Sequence, residues 1–127
     1  MQTMDFINKS VREAAILTNA YVAGTVLENT QKSNVMTINF DFTIGSLTDA
    51  QIKVEVSTDG VNYYHLQSDS ISAGVNTLAG LVYKLTADAT GSTTPLTINT
   101  KYIKVSAIGT GTVTDSSLAI NVVLGKI

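Results

Sequence analysis

Residues 51–66 read QIKVEVSTDGVNYYHL, and the fold follows from how this stretch pairs with itself. Ile52, Val54 and Val56 alternate with Lys53, Glu55 and Ser57, the period-two pattern of a strand with one buried face. Beyond the turn, Tyr64 and Leu66 alternate with Tyr63 and His65. A two-residue loop at Asp59-Gly60 would set Tyr64 and Leu66 opposite Glu55 and Lys53, mixing the two faces. A three-residue loop, Thr58-Asp59-Gly60, sets Tyr64 opposite Val54 and Leu66 opposite Ile52, so the apolar partners share a face. Ser57 then opens a type I turn and Gly60 takes the left-handed position of a bulge. Tyr64 is expected in the core, with Tyr63 and His65 outside, His65 beside Lys53.

Working outward, Met36, Ile38, Phe40, Phe42 and Ile44 alternate with polar residues as an amphipathic strand. Before it, Tyr21–Glu28 reads as a strand interrupted at Gly24, and residues 29–34 as a turn. After the hairpin, residues 68–80 read as a loop or irregular edge. Leu81, Tyr83 and Leu85 mark a further strand, and Thr86–Asn99, with the single proline Pro95, a small-residue loop. Lys101–Ile108 is a strand that Gly109-Thr110-Gly111 bends, and Leu118, Ile120, Val122 and Leu124 form the last. Seven or eight strands at this spacing predict an all-β fold, an antiparallel β-sandwich of jelly-roll or other Greek-key connectivity.

Residues 4–17, MDFINKSVREAAIL, are the exception. Ile7, Val11, Ala14 and Ala15 fit the spacing of a helical stripe, with Thr3 or Asp5 as a cap. A short N-terminal helix or arm is expected over residues 1–19, followed by a single sandwich domain over 20–127. As an arm docking on a neighbouring subunit it would present Phe6, Ile7 and Val11.

Composition narrows the function. The chain has 127 residues, suiting one domain that buries roughly two-thirds of its unfolded-chain surface. Charged residues are 14%, against about 25% in ordinary soluble domains. Such a neutral, polar surface is expected to be covered in part by an assembly. A net charge of −2 offers no basic field for nucleic acid. There is no cysteine, hence no disulfide framework and no thiolate chemistry. No stretch approaches the ~18 apolar residues of a membrane-spanning helix, and acidic residues at the start argue against a signal peptide.

Few residues suggest chemistry. His65 is the single histidine, and on this register it is a solvated strand residue rather than a catalytic base. The carboxylates are scattered, without a D-x-D-x-D-G loop, and zinc lacks its His and Cys ligands. Calcium on loop carbonyls with Asp59, Asp69 or Asp88 is the one metal alternative. Gly109-Thr110-Gly111 lacks the lysine and following helix of a phosphate loop. No catalytic, cofactor-binding or metal residue is therefore expected, and Tyr63 joins the N-terminal residues as a partner-contact candidate.

VEVSTDGVNYYHL with KYIKVSA is similar to the S-x-D-G-x-x-W/Y and R-Y-I-R-I signatures of discoidin-like galactose-binding domains. That resemblance implies a carbohydrate-binding hairpin with Tyr63 as a stacking platform, although Tyr stands where those domains usually place Trp. A longer resemblance runs from REAAILTNAYVAGTVLEN through KYIKVSAIGTGTVTDSSLAINVVLGKI, which looks like small β-sandwich virion proteins of tailed bacteriophages. It implies a non-enzymatic capsid decoration or cement protein, made in the host cytoplasm and carried in the virion. Its expected partners are the major capsid protein or other virion subunits, as a symmetric homo-oligomer with a trimer favoured, and neither nucleic acid nor membrane. A tail, neck or baseplate component is the alternative of the same class.

Overall fold

The structure, a computed structural model, describes residues 6–126, and among them it contains strands and no helix. In chain order the strands are β1 (Phe6–Ala15), β2 (Val22–Ala23), β3 (Leu27–Glu28), β4 (Val35–Thr43), β5 (Leu47–Ser57), β6 (Tyr64–His65) and β7 (Gln67–Ser72). They continue as β8 (Val75–Gly80), β9 (Val82–Leu85), β10 (Ala89–Ser92), β11 (Leu96–Thr97), β12 (Tyr102–Gly111) and β13 (Ser117–Gly125).

Two antiparallel sheets enclose the core. One runs β1-β13-β4-β10, with β11 also on β4. The other runs β2-β12-β5-β6, with β3 also on β12 and β9 also on β5. β2 with β3, β6 with β9, and β10 with β11 are each two pieces of one interrupted edge strand. Counting each once, and leaving out β7 and β8, gives eight positions, ordered first-eighth-third-sixth and second-seventh-fourth-fifth. This is the double Greek key of a jelly roll, so the expected β-sandwich acquires a definite connectivity.

The alternation read in the sequence produces the core. Met36, Ile38 and Phe42 of β4 lie opposite Leu124, Val122 and Leu118 of β13, all buried. In the other sheet Ile52 and Val54 lie opposite Ala107 and Val105, also buried. Gly24 interrupts the β2–β3 edge as expected, because a Cβ there would stand 2.3 Å from the Val11 carbonyl oxygen.

The N-terminal helix is not formed. Residues 6–15 are instead an edge strand antiparallel to β13, with Ile7 opposite Leu124 and Lys9 opposite Val122. Register shifts after Ser10 and after Arg12 disturb the period of two, which is why the segment reads as helical. Arg12 repairs the irregular end: its Nε donates to the Leu118 carbonyl at 2.9 Å and its Nη2 to that of Ile16 at 2.9 Å. The caps Thr3 and Asp5 lie outside the described residues.

The register of the central hairpin also differs. Val56 pairs with Tyr64 and Glu55 with His65, two residues from the expected pairing, and the loop is longer than three residues. The parity is as expected, since the Leu66 amide donates to the Val54 carbonyl at 2.9 Å and Leu66 packs on the core. Tyr64 is nevertheless 68% exposed, because it sits on the sheet edge beside Val56, which is itself only half-buried. The stretches read as loops hold short or outlying strands: β10 and β11 on β4, and β7 paired with β8.

Leu17, buried to 1% exposure just beyond β1, tests whether this segment belongs to the core. Leu17→Ala should cost about 2–5 kcal/mol in urea unfolding, whereas the exposed neighbour Ile16→Ala should stay within about 0.5 kcal/mol of the parent.

Candidate functional site

The tight segment after β5 is built by two side chains. Ser57 Oγ accepts from the Gly60 amide at 2.9 Å and donates to Asp59 Oδ1 at 3.0 Å. Asp59 Oδ1 accepts the amides of Val61 and Asn62 at 2.9 and 2.8 Å, and Oδ2 accepts from Asn62 Nδ2 at 2.9 Å. Gly60 takes the left-handed conformation expected of it, with φ of 76°. Donors from Asn62, Val61 and Ser57 hold the Asp59 carboxyl well below its ordinary 3.8. The carboxylate is thus spent on its own loop. Asp88 is likewise used, accepting the Ile44 amide at 2.8 Å, and Asp69 accepts from Asn76 at 3.1 Å. Among the described residues no group of three or more His, Cys, Asp or Glu side chains is placed to hold a metal.

The outer face of the β12–β5 sheet carries cations over aromatic rings. Lys104 Nζ lies 4.0 Å from the centre of the Tyr63 ring, and Lys53 Nζ lies 4.2 Å from that of Tyr21. Lys53 also pairs with Glu55 at 3.6 Å. His65 sits opposite Glu55 rather than Lys53, and its Nε2 bonds the Leu81 carbonyl at 2.8 Å. Its ring fills the space over Gly80, where a Cβ would come within 2.6 Å of it. His65 is a packing residue at the base of the β7–β8 pair.

A cleft of about 680 Å³ opens where the β3–β4 turn meets the segment before β12. Its lining includes Glu28, Asn29, Lys32, Ile98 and Lys101. Asn29 organises this end, donating to the carbonyls of Ser33 at 2.8 Å and Thr100 at 3.1 Å. Glu28 and Lys101 are paired at 3.9 Å across the strands. These groups stabilise loops, and they do not converge as a nucleophile, a base and an oxyanion site would.

The expected contact residues are dispersed. Phe6 is exposed at the start of β1, its ring beside Gly125. Ile7 is half-buried, and Val11 is core. Tyr63, half-buried beneath Lys104, lies in the loop before β6 against the other sheet, and Tyr64 is the freely exposed tyrosine of the pair. The sequence reading missed a larger surface. β7 and β8 are exposed along their whole length, with Ile71 at 74%, Val75 at 63% and Leu78 at 64%. Ala73-Gly74, both at positive φ, form a two-residue turn between Ser72 and Val75, and Gly74 is the trace of that turn in the sequence.

The fold has known counterparts. The SPBc2 prophage-derived protein YomS is 13% identical and matches at a TM-score of 0.63, over 99% of this chain and 97% of its own. A structure of the infectious bursal disease virus Gx strain is 8% identical at a TM-score of 0.57, the match covering 98% of this chain and 32% of that one. The disulfide-linked pili of Bacillus endospore appendages are 8% identical at 0.51, over 99% of this chain and 92% of theirs. At these identities the likeness is one of fold. No protein-family model matches the sequence, and no curated protein does.

Asp115 resembles Asp59, accepting the amide and hydroxyl of Ser46 at 2.8 and 2.9 Å, and it too is held below its ordinary value. A carboxyl with a depressed folded value adds stability above the unfolded value, and this is lost as pH falls through the folded one. The melting temperature should therefore decline from about pH 4 downward. Asp59→Asn with Asp115→Asn should lower it at neutral pH and flatten the acid limb, as followed by circular dichroism; an unchanged acid slope would discount both carboxylates.

Proposed function

We propose that the chain is a non-enzymatic structural protein of a bacteriophage virion, a capsid decoration or cement protein that binds neighbouring capsid subunits. The observation that carries this reading is the end-to-end jelly-roll likeness to a prophage-derived protein, which spans nearly the whole of both chains. The match to a virus structure, and the resemblance of the strands and their Thr/Ser/Gly-rich connections to phage virion proteins, support it. The absence of converging catalytic groups among the described residues is consistent with a mechanical role.

Such a protein works by covering a seam. β1 is the terminal strand of its sheet, and an edge of this kind can accept a strand from a neighbouring subunit. Phe6 stands exposed beside that edge. Burying its side chain against a capsid subunit would contribute about 1.5–3 kcal/mol.

Immunogold labelling of particles with antibody to this chain is the direct test. Gold on heads supports the proposal, gold on tails moves the protein to a tail, neck or baseplate position, and unlabelled particles refute it. Phe6→Ala should weaken particle binding about ten- to a hundredfold with an unchanged melting temperature, as read by sedimentation of protein with particles.

A further inference from the structure

The cleft at the end of the sandwich is walled by three loops that are bonded to one another. Asn29, 7% exposed, joins the β3–β4 turn to the segment before β12. Its Nδ2 donates to the Thr100 carbonyl at 3.1 Å, and its amide donates to the Lys101 carbonyl at 2.6 Å. Its Oδ1 accepts the Ser33 amide at 2.8 Å, so both polar atoms of the side chain are used within the wall. Thr100 Oγ1 continues the chain of bonds, donating to the Ser57 carbonyl at 2.6 Å where the turn after β5 begins. That turn is itself held by Ser57 and Asp59, which fixes Thr58 between them. The Ile98 amide donates to the Asn34 carbonyl at 3.0 Å, and the buried Ile98 side chain gives the lining an apolar patch. A cleft held this way is formed before any ligand arrives, which spares binding the cost of ordering loops. Its volume of about 680 Å³ lies within the range of small-molecule sites, about 300–1,000 Å³.

The rim keeps the groups that the wall does not use. Thr30, Lys32, Thr58 and Asn99 line the cleft and are exposed, and their side chains have no partner among the described residues. Two hydroxyls and an amide can each donate and accept, as the hydroxyls of a sugar do. Lys32 adds a cation. Lys101 is loosely held, 3.9 Å from Glu28 with both side chains more than half exposed, a pair that contributes little. Two ammonium groups against one carboxylate leave the lining net positive. Lys32 also stands at φ of 55°, a left-handed conformation that a lysine adopts at a cost and that glycine would adopt freely.

We infer that this cleft binds an acidic saccharide, its carboxylate on Lys32 and Lys101 and its hydroxyls on Thr30, Thr58 and Asn99. A neutral sugar would leave Lys32 without a counter-charge. An acidic peptide would bring a row of backbone groups that pair best along a strand edge, and this cleft is made of loops. Tyr63 does not line the cleft, so the site is separate from the hairpin. The inference does not rest on the virion reading.

A glycan array probed with the full chain tests it, with uronate- and sialate-bearing oligosaccharides beside their neutral counterparts and acidic peptides. At least one acidic oligosaccharide should be retained, and its neutral counterpart should bind about tenfold more weakly or worse. Calorimetry with that oligosaccharide then separates the site from the fold. Lys32→Gly should lower affinity about tenfold or more at an unreduced melting temperature, because glycine accepts the positive φ. Lys32→Arg should keep most of the affinity, Asn99→Ala should weaken it, and Tyr63→Ala should leave it unchanged. An array without a bound acidic saccharide, equal retention of the neutral counterparts, a preference for the acidic peptides, or full affinity in Lys32→Gly would each overturn the assignment.

Discussion

The ladder between β5 and β12 is the constraint on which the molecule depends. It carries Ile52, Val54, Ile103, Val105 and Ala107 inward together, all essentially inaccessible, and supplies the floor on which Met36, Ile38, Ile120 and Val122 of the facing sheet rest. Because side chains alternate, a slip of one residue would turn these groups to solvent and bring Lys53, Glu55 and Lys104 inside. Apolar burial thus fixes register, and register fixes which strands become edges. The edges are where the chain is interrupted, at Gly24, at Leu66, and between β10 and β11. Within the ladder the one irregularity is at its end, between Thr110 and Gly111, where the sequence Gly109-Thr110-Gly111 is expected to bend the strand.

Most of that frame was legible in the sequence. The alternations of β4, β5, β12 and β13 gave strand identity and inward faces, and Gly24 marked a broken edge. Three misreadings have physical causes. In β1 the register shifts after Ser10 and Arg12 leave Val11 as the buried apolar residue, and Ile7, Val11, Ala14 and Ala15 then mimic a helical stripe. At the β5–β6 turn, Ser57 and Asp59 hold a longer loop through side-chain bonds that strand parity does not report, which moves Tyr64 out to the edge. In 67–80 the alternating partners are mostly Ser, Asn and Thr, so a regular hairpin has no amphipathic signature. Strand patterns reveal what packs on the chain itself, and this hairpin does not.

The same distinction organises the functional reading. Residues that looked chemical, His65 and Asp59 above all, are consumed locally: the imidazole by the Leu81 carbonyl and the carboxylate by its own turn. The exposed apolar residues have no such local employment. Ile71, Val75 and Leu78 on the hairpin, Val22 and Val26 on the opposite edge, and Phe6 at the start of β1 spread exposed apolar surface around a sandwich with few charged residues. In the proposed role the jelly roll is a block whose edges make joints.

A self-sufficient eight-position sandwich carries an appendage, β7 and β8, whose residues are all exposed and none of which joins the core. Native-state hydrogen exchange, followed residue by residue, is the measurement that separates the two parts. Amides of β5, β12, β4 and β13 should exchange only through global unfolding, and those of β7 and β8 through local opening at far lower free energy. Hairpin amides as slow as those of β5 would contradict this division.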